Sequence, residues 1–178
     1  MADAVALDVV GFVVDRLRGQ LRSEGARHDI LDAIFSSHWD DDLTRMLARA
    51  EAVASLLQSK DGADLLTAYR RAANILRIEE RKDGPHRAPP DPSLFREAPE
   101  IDLGHALATM DEVMRLLDRE QYGAAMVSLA RLRAPLDAFF EQVTVNAPEP
   151  DLRLNRLRLL NLLRATMDRV ADFSRIEG

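Results

Sequence analysis

Arg70, Asn74 and Arg77 stand at i, i+4 and i+7, so on a helix they share one edge beside the face that carries Tyr69 and Ala73. An asparagine between two arginines suits contacts to a phosphate and to the edge of a base. The alternative is a solvated edge whose arginines pair with Glu79, Glu80 and other acids. A second cationic group lies toward the end of the chain. Arg153, Arg164 and Arg175 recur every eleven residues, close to three helical turns, and Arg158 and Arg169 repeat that spacing on another side. Arg156 falls on the azimuth of an apolar seam (Leu152, Leu159, Leu160, Leu163, Met167, Val170), where an unpaired guanidinium is costly. Three readings stay open for it: the seam begins after it, it pairs at the end of a bundle, or it faces a ligand. Asn146 and Asn155 bracket the same turn. They serve either as backbone caps or, with Arg153 and Arg156, as a surface that recognises single-stranded bases. Of Phe139 and Phe140 at least one belongs to the core, and the other could stack on an unpaired base.

Other chemistries find little support. The histidines His28, His38, His86 and His105 sit in different segments, and none has a partner at metal-ligand spacing. His28-Asp29 is a dipeptide of the kind that holds metals in phosphohydrolases, but further ligands on other helices have no obvious source. A polar helix start explains the pair equally. No Gly-rich phosphate loop, G-x-S-x-G elbow or H-E-x-x-H motif occurs. The expectation is a chain without a catalytic residue or metal site of its own.

The elements that must position these residues are helical. Aromatics are only 5%, while Ala, Leu and Arg are plentiful, and nothing alternates with period two. The spacing predicts helices over Asp8–Glu24 and His28–Phe35, then one starting at the Asp40-Asp41-Asp42 run and ending at Asp61-Gly62. A fourth carries Leu65, Leu66, Tyr69, Ala72, Ala73 and Leu76. Glu79 to Pro92 is the one long polar, Pro-rich stretch and reads as a loop or linker. It separates an N-terminal helical part (1–78) from a C-terminal one (93–178), and the two can pack as one unit. Beyond it one helix runs from Ile101 to Leu117, another from Gln121 to Arg133, and Pro135 forces a kink or a new start. The last helix runs from Asp151 to about Phe173. The predicted architecture is all-α, a bundle of about seven or eight helices.

A chain of 178 residues can bury a real core, as one large domain or two small ones. The net charge of −6 is unevenly placed. Asp29–Glu51 carries −4 and Glu97–Glu120 −5, whereas Asp64–Lys82 and Asp151–Gly178 each carry +2. Local fields decide binding, so the basic segments keep an anionic partner open. No apolar run approaches the roughly 20 residues of a membrane span, and the first residues lack a secretory pattern. The absence of cysteine excludes disulfides and thiolate metal sites and fits a cytoplasmic setting.

Several strings are familiar in series. They are Phe12-Val13-Val14-Asp15-Arg16-Leu17-Arg18, Arg71-Ala72-Ala73-Asn74-Ile75-Leu76 and Ala134-Pro135-Leu136-Asp137-Ala138-Phe139-Phe140. Val145-Asn146, Leu152 to Leu160 and the closing Ala171-Asp172-Phe173-Ser174 complete the set. In that order they resemble the C-terminal region of bacterial glycyl-tRNA synthetase beta subunits, over nearly the whole chain. Arg71 stands where that family more usually has Lys, and the linker around Pro89-Pro90 is its own. The resemblance implies a helical, DALR-type anticodon-binding domain, similar to that of arginyl-tRNA synthetases, excised from a far longer subunit. It implies glycine tRNA as partner, with the alpha subunit and the rest of the beta subunit. ATP and magnesium would be used in the alpha subunit, and no cofactor is implied for this fragment. On that basis Arg70, Arg77, Arg153 and Arg164 are expected to position phosphates, and Asn74, Asn146, Asn155 and Arg156 to read splayed bases. The rival expectation is a helical interaction module that docks synthetase subunits without reading the anticodon.

Overall fold

The computed structural model describes residues 27–37 and 42–177, together with Arg16 and Gly19, both helical. The helix expected over Asp8–Glu24 otherwise lies outside the described residues. All regular structure among the described residues is helical, and from His28 onward it forms eight α-helices and two short 3-10 turns.

Helix α1 (His28–Ser37) buries Ile30, Leu31, Ala33 and Ile34. Helix α2 (Leu43–Gln58) starts at Asp42, whose carboxylate accepts from the amides of Thr44 at 2.9 Å and Arg45 at 3.3 Å, the expected N-cap. Its end differs from the sequence expectation. Helix α3 (Lys60–Asp83) begins at once, and the break is Ser59 rather than Asp61-Gly62. The Ser59 hydroxyl donates to Leu56 O at 2.6 Å, closing α2, and accepts from Gly62 N at 3.0 Å, opening α3. Gly62 instead permits the corner to be tight, since a Cβ there would lie 2.0 Å from Leu56 O.

Helix α3 is 24 residues long and runs past the expected start of the linker, so Glu79 to Asp83 are helical. Buried pairing of Glu79, described below, and two cations in the last turn favour the extension. Gly84, at φ +82°, ends it in a conformation that suits glycine. Residues 84–91 then form an irregular connection to a 3-10 turn, Pro92–Leu94.

The single helix expected over Ile101–Leu117 is two, α4 (Ala98–Ala108) and α5 (Asp111–Asp118). Thr109 interrupts it, its hydroxyl and amide both donating to Ala106 O at 2.8 and 3.3 Å. Helix α6 (Tyr122–Ala130) follows, then α7 (Arg133–Gln142). Pro135 is the third residue of α7, where its missing amide costs nothing. Helix α8 (Pro150–Asp168) has Pro at its first position and stops short of the expected Phe173. A second 3-10 turn, Phe173–Arg175, closes the described chain, with Asp172 capping Ser174 N at 3.2 Å.

Helix α3 is the axis of the bundle, packing on α2, α7, α8 and the terminal turn, while α8 also packs on α4. One hydrophobic cluster reaches from Ile30 to Ile176 and includes residues on both sides of the Pro-rich connection. Fully buried Leu157, Leu159, Leu160, Leu163 and Met167 make α8 an interior helix, whereas Leu152 is only half-buried. The ADFS ending has a packing role: Ala171 and Phe173 are buried, and the Phe173 ring lies 5.7 Å from that of Tyr69. Asp172 N donates to Ala33 O at 3.1 Å and Glu177 N to Asp29 Oδ2 at 2.7 Å, binding the terminal turn to α1. No helix among the described residues is long and apolar enough to cross a membrane.

Candidate functional site

The arginines fall into two groups. The first is consumed by acids. Arg156 is 3% exposed and uses its guanidinium throughout: Nε donates to Glu100 Oε1 at 2.9 Å, Nη2 to Glu97 Oε1 at 2.7 Å, and Nη1 to Thr144 O at 2.8 Å. Of the three sequence readings, pairing at the bundle end is the one realised. Glu100 is fully buried and also accepts the amides of Arg96 and Glu97, each at 2.9 Å, closing the capping box of α4. Burial alone would raise the Glu100 carboxyl; the Arg156 guanidinium and those two amides outweigh it and hold it below the usual range.

Arg153 joins α8 to the end of α3, with contacts to Glu79 at 2.5 Å and Asp83 at 2.6 Å. Asn146 completes this group, accepting from Arg153 Nε at 3.2 Å and donating to Glu79 at 3.4 Å. Lys82 first, then Arg153 and Asn146, hold the Glu79 carboxyl down to about 2. Arg164 donates to both Glu80 oxygens, at 2.6 and 3.2 Å, and to Asn161 Oδ1 at 2.7 Å. Glu79 and Glu80 therefore pair with arginines of α8, not with those of α3. Arg70 donates to the carbonyl of Ile176. Asn155 is fully buried, and its amide makes both hydrogen bonds to the Asp91 backbone, accepting from N at 2.7 Å and donating to O at 2.9 Å. In this arrangement Asn155 and Arg156 are enclosed by protein partners and offer no edge to a base, so the expected role of reading splayed bases has no surface to act from.

The second group is solvated. On the outer face of α3, Asn74, Arg77, Ile78 and Arg81 follow at helical spacing and are all exposed. Arg77 donates to Asn74 Oδ1 at 2.7 Å, so these two expected site residues are together. Neither Arg77 nor Arg81 makes an ion pair among the described residues. On a neighbouring edge the Arg71 guanidinium lies 4.4 Å from the centroid of Phe140, with Phe139 buried beneath.

A feature missed in the sequence lies where the 84–91 connection meets the start of α8. A groove of about 370 Å³ is lined by the Asp83–Arg153 pair and by Pro85, His86, Arg87, Pro150, Leu154 and Arg158. His86 is 4% exposed, yet its Nε2 has no hydrogen-bond partner among the described residues. An unpaired buried polar atom costs about 1–3 kcal/mol. Arg87 is exposed and Arg158 half-buried, and neither has an ion pair among the described residues. The available signal was His86-Arg87 within a Pro-rich stretch, which reads as a loop or linker unless its anchor is known.

The His28-Asp29 pair opens α1. Asp29 accepts from Arg27 Nε at 3.1 Å and from Glu177 N at 2.7 Å, and no group of three or more metal-binding side chains occurs among the described residues.

Comparison with known proteins gives these surfaces a context. Residues 65–173 match the family described as the DALR anticodon binding domain, a span that begins in α3 and ends in the terminal turn. Over 179 residues the chain is 50% identical to the glycine--tRNA ligase beta subunit of Rhodospirillum centenum (strain ATCC 51521 / SW), covering 99% of this chain and 25% of that subunit. The subunit of the same name from Phenylobacterium zucineum (strain HLK1) is 45% identical over 175 residues, covering 98% of this chain and 26% of its own length. That of Cereibacter sphaeroides (strain ATCC 17023) is 45% identical over 173 residues, covering 96% and 25%. The chain spans about a quarter of the length of these relatives.

Proposed function

The chain belongs to the DALR anticodon-binding domain family, and from that premise we propose that it binds the anticodon arm of glycine tRNA as the C-terminal part of a glycine–tRNA ligase beta subunit. The observation that carries the reading is the division of the arginines, because Arg77 and Arg81 stand exposed, without ion pairs among the described residues, on an outer face of the matched domain. Such arginines are available to phosphates. Arg77 and Arg81 would position the RNA backbone, Asn74 would offer its amide to an unpaired base, and the exposed Asn146 would share its own with Arg153 and Glu79. Arg70, Arg153 and Arg164 already hold protein partners, so any part they take in RNA binding is shared with those partners. Asn155 and Arg156 would act on RNA only by holding the scaffold in shape.

On this reading the fragment performs no chemistry. ATP and magnesium would be used by the alpha subunit, which together with the remainder of the beta subunit would be its protein partner. The direct test measures binding of the chain to glycine tRNA and to the same tRNA with a foreign anticodon. Tighter binding of the cognate form is expected, by roughly 1–3 kcal/mol per lost base contact. Equal affinity for both would remove anticodon reading. If Arg77→Gln left tRNA binding intact and abolished assembly with the alpha subunit, the face would be a docking surface instead.

A further inference from the structure

The groove between the 84–91 connection and α8 carries a more specific assignment, which rests on the RNA-binding reading. Two of its cationic members, Arg87 and Arg158, differ from the third, Arg153. Arg87 and Arg158 lack ion pairs among the described residues, whereas Arg153 in the same lining is neutralised by Glu79 and Asp83. The carboxylates nearest in influence are already engaged. Glu80 feels His86 and Arg87 but is held by Arg164, and Asp91 feels Arg158 but accepts from Ser93 N and Oγ.

The remaining walls are apolar, from Pro85, Pro150 and Leu154, and a lone phosphate has no use for them. A base does, because its face needs an apolar surface and its edge a hydrogen-bond partner. The buried His86 Nε2, without a partner, is such an atom. A volume of about 370 Å³ is at the small end of the range for organic ligands. We propose that this groove seats one unpaired ribonucleotide, its phosphate between Arg87 and Arg158, its base against the Pro150–Leu154 wall and a base-edge atom on His86 Nε2. Because Nε2 is closed to solvent, engagement requires the rim of the loop to shift outward. The anchor of that loop, the Asn155–Asp91 pair, stays in place.

The test follows the His86 ring nitrogens and arginine Nε signals of the full chain by NMR during titration. One arm uses the anticodon stem-loop of glycine tRNA, and the other each of the four nucleoside 5′-monophosphates. The expected result is a shift of His86 Nε2 with the stem-loop and with at least one monophosphate. Arg158→Gln, which breaks no ion pair among the described residues, should weaken stem-loop binding by about tenfold or more. If the stem-loop binds while His86 does not respond and Arg158→Gln stays within about twofold, well below one base contact, the groove assignment falls and the family reading stands. A His86 response to monophosphate with no stem-loop binding would keep the nucleotide site and remove the tRNA reading. No response in either arm would overturn both.

Discussion

Arg156 and Arg158 lie two positions apart on α8 and meet opposite surroundings. Arg156 is enclosed, with Glu100, Glu97 and a backbone carbonyl taking its donors. Arg158 faces a groove and has no acid bonded to it among the described residues. The same contrast separates Arg153 and Arg164, paired to α3, from Arg77 and Arg81 on its outer face. Between Arg156 and Arg158 a step of about 200° around the helix decides the difference, since that rotation carries a side chain from an inter-helix seam toward solvent. Cations of the first group hold α3, α4 and α8 in register; cations of the second remain available to an anionic partner. The chain can therefore be acidic overall and still present positive surfaces.

If that division is right, truncation should separate the groups by stability first. Arg156→Met should cost about 3–5 kcal/mol, because it strands the buried Glu100 carboxylate. Adding Glu100→Leu should recover little, since that carboxylate also accepts the amides of Arg96 and Glu97. Urea midpoints of the single and double variants check both statements. A loss at Arg156 below about 1 kcal/mol would place it with the exposed arginines, where surface changes usually stay within roughly ±0.5 kcal/mol.

Asn155 tests whether the enclosed group also shapes the exposed one. Asn155→Ala leaves the Asp91 amide and carbonyl without partners and should cost about 1–3 kcal/mol. Hydrogen exchange should quicken at Asp91 and along 84–91, with the rest of the bundle protected as before. Uniform loss of protection would show that the clamp supports the whole core instead of positioning one loop.

The legibility of these features varied with the distance over which they are determined. The all-α class, the Asp42 cap and the interior face of α3 follow from residues within a few turns of one another. Ser59 was missed because Asp61-Gly62 is the stronger breaker by composition, while the actual corner depends on Gly62 meeting the backbone of Leu56. The azimuth of Arg156 exposed the anomaly, but its partner Glu100 is 56 residues away. Glu79 to Pro92 read as a loop or linker because the anchor of its 84–91 part, Asn155, lies 64 residues from Asp91. His86 lies within that anchored connection and is buried by tertiary packing, which no local pattern encodes.

A smaller effect is expected from pH, and it distinguishes Glu79 from exposed carboxylates. The folded state holds Glu79 at about 2, below its ordinary value of 4.5. A depressed folded pKa contributes stability that is complete above the unfolded value and is lost as pH falls from there through the folded one. Stability should therefore decline between roughly pH 4.5 and 2 in part through this group, and Glu79→Gln should flatten that limb. Denaturation midpoints in steps across this window measure it; an unchanged slope in the variant would mean that Glu79 is not held down by Lys82 and Arg153.

The exposed face of α3 should show almost nothing in stability and its effect only against RNA. Arg77→Gln and Arg81→Gln should each stay within about 0.5 kcal/mol, since neither breaks an ion pair among the described residues. If about four phosphates are engaged in all, the logarithm of affinity should fall with that of salt at a slope of roughly −3. Each substitution should then reduce the slope by about one, and by similar amounts for cognate and foreign anticodons, because phosphate contacts position without specifying. The comparison with Arg158→Gln is the informative one. A phosphate contact alone lowers the slope, whereas a contact that also places a base changes the preference between anticodons. Should Arg77 alter that preference and Arg158 only the slope, the outer face of α3 would be the reading surface and the groove a backbone contact.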